Sequence, residues 1–285
     1  KLSKSIKMIN SWISDENIKT VIQEFTQITN LNLMEANQEI YEKLTKYISV
    51  EQNLGEERKS HTVKIIDFEN LENNEFLITN QFKVAGINQN IIPDIILFVN
   101  GLPLAVIECK SPFITNPMEA GINQLLRYCN KRKPEENEGA EKLFYYNQIL
   151  VSTYNNQARL GTISSRYEHY LEWKDVYPKN IENFKNNSSQ EILIEGVFNH
   201  KNFLDIIRNF TIFEVVEGKT IKKIPRYQQY RAVHKTVEKI SKGKNKKEKG
   251  GVIWHTQGSG KSLTMVFLAQ VIRRNEELKK YKLLY

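Results

Sequence analysis

The chain has 285 residues, 40% of them hydrophobic, with 41 Lys and Arg against 33 Asp and Glu for a net charge of +8. That is enough apolar content for buried cores and suggests about two domains, so wholesale disorder is excluded. The basic balance suits a polyanionic partner without identifying one. The longest apolar runs, such as Ile91–Val99, are too short to cross a bilayer, and no signal-peptide pattern opens the sequence. The two cysteines, Cys109 and Cys129, form no CxxC pair and have no histidine cluster beside them. This argues against a zinc site and for two reduced cytosolic thiols.

Ser14-Asp15-Glu16 predicts a helix start, and Glu35–Ile48 predicts a helix with Ile40, Leu44 and Ile48 on one face. Gln52–Lys59 reads as a polar break. The period then changes: Thr62–Phe68, Glu75–Val84, Asp94–Val99 and Leu104–Cys109 are β-prone runs, and Asn100-Gly101 marks a hairpin between the last two. Met118–Asn130 predicts a helix and Leu143–Thr153 another strand. The order predicts an α/β domain around a mixed sheet. Tyr177–Ser189 reads as a loop near the end of this domain, placed at 1–195.

In 196–285, Phe198–Phe213 predicts a helix with Phe203, Ile206, Ile207 and Phe210 on one face. Lys219–Lys223 is a polar lead-in and Tyr227–Ile240 a helix. Ser241–Gly250 is a lysine-rich, solvated loop. Gly251–Thr256 predicts a strand, Lys261–Asn275 a helix, and Lys282–Tyr285 the start of a further strand. This is the opening of a βαβ unit.

Two constellations carry chemistry. In the first, Pro93-Asp94 precedes the hairpin and Glu108-Cys109-Lys110 follows it. Residues two apart on a strand share a face, so Glu108 and Lys110 project together while Cys109 points to the apolar side. The hairpin brings Asp94 level with Glu108. Phosphodiester hydrolysis needs a metal that polarises the phosphate and activates water. Mg²⁺ is satisfied by one or two carboxylates plus waters. Asp94 and Glu108 supply these, the Cys109 carbonyl adds a third oxygen, and Lys110 orients water or stabilises charge. On the next helix Gln124 and Tyr128 are four apart and share a face.

In the second, Gly258-Ser259-Gly260-Lys261-Ser262 lies between the predicted strand and helix, the context of a phosphate-binding loop. There Lys261 reaches the β/γ phosphates of ATP and Ser262 ligates its Mg²⁺. The first glycine of the general pattern is replaced by His255.

Asp94, Glu108 and Lys110 followed by Gln124 and Tyr128 resemble the PD-(D/E)xK nucleases of RecB type. The fuller string Phe98-Val99-Asn100-Gly101-Leu102-Pro103-Leu104 before Ile107-Glu108-Cys109-Lys110 resembles the restriction subunit of type I restriction enzymes. The run Trp254-His255-Thr256-Gln257-Gly258-Ser259-Gly260-Lys261-Ser262 resembles motif I of superfamily 2 helicases. Pro225–Ala232 is similar to their adenine-reading Q motif, with Gln229 as the adenine contact and Gln228 as the fallback. The resemblance implies a restriction-endonuclease-like domain followed by the start of a RecA-like motor domain. It implies double-stranded DNA as substrate, Mg²⁺ and ATP as cofactors, modification and specificity subunits as partners, and a prokaryotic cytoplasmic setting. Glu39 or Glu42 is a candidate for an extra acidic residue from an earlier helix. No DExx box occurs up to Tyr285, so this length of chain is expected to turn over little ATP. A stand-alone repair helicase-nuclease and a non-catalytic DNA-binding module remain the alternatives.

Overall fold

The computed structural model describes residues 1–29, 32–55, 58–86, 88–131, 138–184 and 187–282. The chain packs as two compact units. Lys1–Leu171 and Phe213–Lys222 form the first, and Glu172–Ile212 with Lys223–Tyr285 form the second. Packing therefore does not divide the chain at 195/196. Residues 172–195 belong with the second unit, and residues 213–222 return to the first.

The first unit opens with three helices, α1 (Leu2–Ile9), α2 (Asp15–Thr26) and α3 (Leu33–Lys46). The Ser14 hydroxyl accepts from the Asn17 amide and caps α2, as the sequence predicts. Ile40 and Leu44 are buried on α3, but Ile48 already belongs to β1. The expected polar break is instead a β-hairpin of β1 (Ile48–Asn53) and β2 (Arg58–Val63). Burial of Ile48, Val50 and Val63 gives this polar ribbon an apolar face.

A five-stranded sheet follows in the order β3 (Phe76–Asn80), β4 (Ile95–Val99), β5 (Leu102–Lys110), β6 (Ile149–Tyr154) and β7 (Gln157–Gly161). The β5–β6 pair is parallel and the others antiparallel, so the sheet is mixed, as predicted. The parallel pair requires a crossover, supplied by α4 (Pro117–Tyr128) and α5 (Glu141–Tyr146). Met118, Ile122 and Leu125 of α4 share a core cluster with Ile96, Val106 and Leu150 of the sheet. The first half of the expected strand Leu143–Thr153 is thus helix. The Asn37 amide donates to the carbonyls of Phe144 (2.9 Å), Tyr145 (3.0 Å) and Asn147 (2.7 Å), closing the end of α5 from a distant helix.

The first unit is completed by a hairpin of β8 (Ile212–Val216) and β9 (Lys219–Lys223), turning through Glu217 (φ 50°) and Gly218 (φ 73°). This replaces the expected end of a helix and a polar lead-in. Lys222 carries the hairpin's one buried cation into the core. Its Nζ donates to Asn37 Oδ1 (2.9 Å), the Asn147 carbonyl (3.1 Å) and Gln148 Oε1 (2.7 Å). Complete burial holds its pKa well below the ordinary lysine value.

The second unit contains α6 (Ser189–Leu193), α7 (His200–Asn209), α8 (Tyr227–Lys242), α9 (Lys246–Lys249) and α10 (Lys261–Arg274). Phe203, Ile206, Ile207 and Phe210 form a buried face, as predicted, and the Phe210 ring lies 5.4 Å from that of Phe267 on α10. The lysine-rich segment holds one helical turn, α9, capped by Asn245. The strand expected at Gly251–Thr256 is not formed. A strand is stable only beside a hydrogen-bonding neighbour. Among the described residues none pairs with this segment, and Val252 and Trp254 are each 88% exposed. Of the strand expected from Lys282, residues 283–285 lie outside the described residues. No described helix is long and apolar enough to cross a membrane.

Candidate functional site

Asn100 and Gly101 turn the β4–β5 hairpin with φ of 55° and 87°, the left-handed pair that a two-residue turn requires. The Asn100 side chain is fully buried and accepts from the Glu75 amide while donating to the Ile65 carbonyl. Beyond the turn Val99 pairs with Leu102 and Phe98 with Pro103. The register then shifts, so that Leu97 pairs with Ala105 and Ile95 with Ile107, leaving Leu104 as the extra residue of a bulge. This shift carries Asp94 opposite Glu108. In an unbulged ladder it would stand opposite Ile107 and the two carboxylates would part. Asp94 Oδ2 accepts from the Cys109 amide at 2.7 Å.

Glu108 and Lys110 share a face of β5, as predicted, but it is the covered one. Glu108 is 1% exposed, whereas Cys109 is exposed, so the expected burial of Cys109 is reversed. The physical reason is α4, which lies over the face carrying Val106, Glu108 and Lys110. Gly121 permits the close approach. A Cβ there would fall 2.3 Å from Ser152 Oγ, and Ser152 is the β6 residue paired with Glu108. The sequence reading missed Gly121; a glycine inside an otherwise good helix was its signal.

The close approach joins four side chains. Lys110 Nζ donates to Glu108 Oε1 at 2.7 Å and to Gln124 Oε1 at 2.5 Å, and Gln124 Nε2 donates to the Tyr128 hydroxyl at 2.6 Å. The sequence-predicted Asp94, Glu108, Lys110, Gln124 and Tyr128 therefore come together. Burial, reinforced by the Asp94 charge and opposed by Lys110, raises the Glu108 carboxyl from 4.5 to about 7. Burial together with the Glu108 charge raises the Tyr128 phenol to about 12, so it stays neutral where it accepts from Gln124. Glu39 is bonded to Lys43 and Thr29, and Glu42 is paired with Lys46.

The fit to a divalent cation rests on one atom. Glu108 Oε2 is buried with no hydrogen-bond partner, in a carboxylate crowded by the like charge of Asp94. A buried acceptor left without a partner is costly, and a hard cation with oxygen ligands would satisfy it. Among the described residues no group of three or more His, Cys, Asp or Glu could hold a metal, so the donors here are two carboxylates. That set suits Mg²⁺, which keeps several of its waters.

In the second unit, Gly258 (φ 77°) and Gly260 (φ 81°) bend residues 256–260 into a loop at the N-terminus of α10. Lys261 Nζ donates to the carbonyls of His255 and Thr256, each at 3.2 Å, and the Ser259 hydroxyl to Thr256 at 2.7 Å. Gln257 is exposed, as is Ser262 at the start of α10. Gln229 is 1% exposed. Its Oε1 accepts from the Arg226 amide and its Nε2 donates to the Gly260 carbonyl at 3.0 Å, tying α8 to the loop. The open cleft beside the loop, about 740 Å³, is lined instead by Gln228, with Arg231, Lys235, Trp254 and His255. Gln228 Oε1 has no hydrogen-bond partner. The geometry therefore turns the fallback residue, not Gln229, toward the cleft.

A mixed five-stranded sheet, covered by a helix and carrying paired carboxylates at its strand ends, fits a restriction-endonuclease-like domain. Residues 1–169 match the type I restriction enzyme R protein N-terminal family, and the chain belongs to that family. Residues 228–285 match the SWI2/SNF2 ATPase family. The type I restriction enzyme HindI endonuclease subunit of Haemophilus influenzae is 35% identical over 98% of this chain and 26% of its own length. The putative MjaIXP endonuclease subunit of Methanocaldococcus jannaschii is 30% identical over 96% of this chain and 27% of its own. The chain thus spans about a quarter of the length of these relatives.

Proposed function

We propose that the chain is the nuclease-bearing part of a type I restriction subunit, hydrolysing phosphodiester bonds of double-stranded DNA at Asp94, Glu108 and Lys110. The observation that carries this reading is the unpartnered buried oxygen of Glu108 beside Asp94, within hydrogen-bonding order of Lys110, Gln124 and Tyr128. Asp94, Glu108 and the Cys109 carbonyl would hold Mg²⁺. The cation would polarise the phosphate and lower the pKa of an attacking water. Lys110 holds Glu108 in place and offers positive charge where the phosphorane charge develops. Gln124 fixes the direction of the Lys110 ammonium, and Tyr128 fixes Gln124.

The second unit would serve as the start of an ATP-driven motor. Residues 256–262 would cradle phosphate, with Lys261 released from its loop carbonyls to reach it and Ser262 on the nucleotide's Mg²⁺. Gln228 or Gln229 would read adenine. In the full-length protein this motor would translocate DNA in a complex with modification and specificity subunits.

Metal binding tests the nuclease site without requiring activity. At about 100 times its dissociation constant, Mn²⁺ should stabilise the protein by about 2.7 kcal/mol, a melting shift of about 5 °C or more. Asp94→Ala should abolish that shift. An equal Mn²⁺ shift in wild type and Asp94→Ala would move the metal elsewhere and sink the assignment.

A further inference from the structure

Three segments leave the same end of the five-stranded sheet as the carboxylates. Antiparallel pairing sets the end of β3 and the start of β4 beside the end of β5. Residues 81–84 follow β3 and are fastened to the site by the Gln81 amide, which donates to the Asp94 carbonyl at 2.9 Å. Residues 91–94 lead into β4, and residues 111–116 follow Lys110 and lead into α4. Each segment presents apolar side chains to solvent: Phe82 is 44% exposed, Ile92 49%, Ile114 42% and Phe113 95%.

A single exposed apolar residue needs no explanation, but four on three segments that leave one end of the sheet concentrate apolar surface there. Its electrostatics select among partners. Apart from Asp94 of the site itself, segments 81–84, 91–94 and 111–116 contain no Asp or Glu, and Lys83 is their one other charged residue. A rim without acidic groups, beside a lysine and a cation-binding carboxylate pair, suits a polyanion. Apolar side chains that enter DNA do so between base steps, unstacking them and bending the duplex.

We propose that Phe113 is a positioning residue that inserts into the DNA base stack next to the scissile phosphate, with Ile114, Phe82 and Ile92 as its apolar rim. This rests on the nuclease reading for its location. The wedge would hold the duplex against the sheet end and present one phosphate to Asp94, Glu108 and Lys110. Phe113 touches no reacting atom; it fixes where the backbone lies.

The test uses duplexes carrying 2-aminopurine at successive positions, whose fluorescence rises on unstacking, with affinity read by anisotropy in Ca²⁺. Wild type should raise the fluorescence at one step. Phe113→Ala should lose the rise and bind about tenfold more weakly. Phe113→Leu, still an apolar wedge, should retain most of both. Because Phe113 is 95% exposed, neither change threatens folding. Binding and unstacking by Phe113→Ala at wild-type levels would overturn the proposal. So would wild-type binding with no fluorescence rise, or intact unstacking by Phe113→Ala with loss of assembly onto a protein partner. Asp94→Ala separates the two readings. If it still cleaves DNA while Phe113→Ala loses unstacking, the nuclease assignment fails and the wedge survives.

Discussion

Glu108→Gln is expected to stabilise the metal-free protein while removing cleavage. The folded Glu108 carboxyl has a pKa raised from 4.5 to about 7, mainly by burial. The folded state therefore holds this proton more tightly than the unfolded state. Its contribution to stability is complete below about pH 4.5 and is lost as pH rises through about 7. Above that the buried carboxylate opposes folding by about 3 kcal/mol, the equivalent of the shift. Glutamine keeps the shape and the bond from Lys110 but never ionises. Urea melts in EDTA should show no gain at pH 4.5 and a gain approaching about 3 kcal/mol by pH 8. Equal stability of variant and wild type across that range would mean that Glu108 is not strained by burial. A site that sacrifices stability for an ionised group is expected where function, not folding, selects the residue.

Lys222→Met is expected to act in the opposite direction. The ammonium of Lys222 satisfies Asn37 Oδ1, the Asn147 carbonyl and Gln148 Oε1, all buried. Methionine fills the volume and removes the cost of burying a charge, but strands two acceptors, Asn37 Oδ1 and Gln148 Oε1, at about 1–3 kcal/mol each, while the Asn147 carbonyl keeps its bond from the Asn37 amide. The desolvation relief offsets part of this, leaving a net loss of about 2–4 kcal/mol. The lowered pKa gives a second signature. Above the lowered folded-state pKa folding releases a proton, so wild-type stability rises with pH from there toward the ordinary lysine value near 10.5, and the variant should lack that slope. A variant that melts like wild type at both pH 7 and pH 10 would show that the hairpin is held by its other contacts.

The sheet and its site were legible because their signals are local. Alternation, the Asn100-Gly101 turn and the Pro-Asp, Glu-x-Lys and Gln-x-x-x-Tyr spacings all lie within 36 residues of one another. What stayed hidden depends on distant groups. The helix α5 is closed by Asn37, more than 100 residues away in sequence. The polar hairpin residues 219–223 form a strand because Lys222 finds buried acceptors on other elements. Cys109 faces solvent because α4 covers the opposite face, which the period-two pattern cannot specify. The bulge at Leu104 is equally silent in the sequence, yet it sets the pairing of Asp94 with Glu108. In the second unit the apolar run after Gly251 reads as a strand by composition alone, and pairing decides otherwise.

The most direct test is Mg²⁺-dependent plasmid cleavage by the full-length subunit assembled with the proposed modification and specificity subunits. Wild type is compared with Asp94→Ala and Lys110→Ala, with ATP hydrolysis followed in the same reactions. The account predicts cleavage reduced by about 10²–10³-fold or more in both variants with ATP hydrolysis unchanged. Cleavage at wild-type rates in both would contradict it and leave the sheet end as a surface that holds DNA without cutting it.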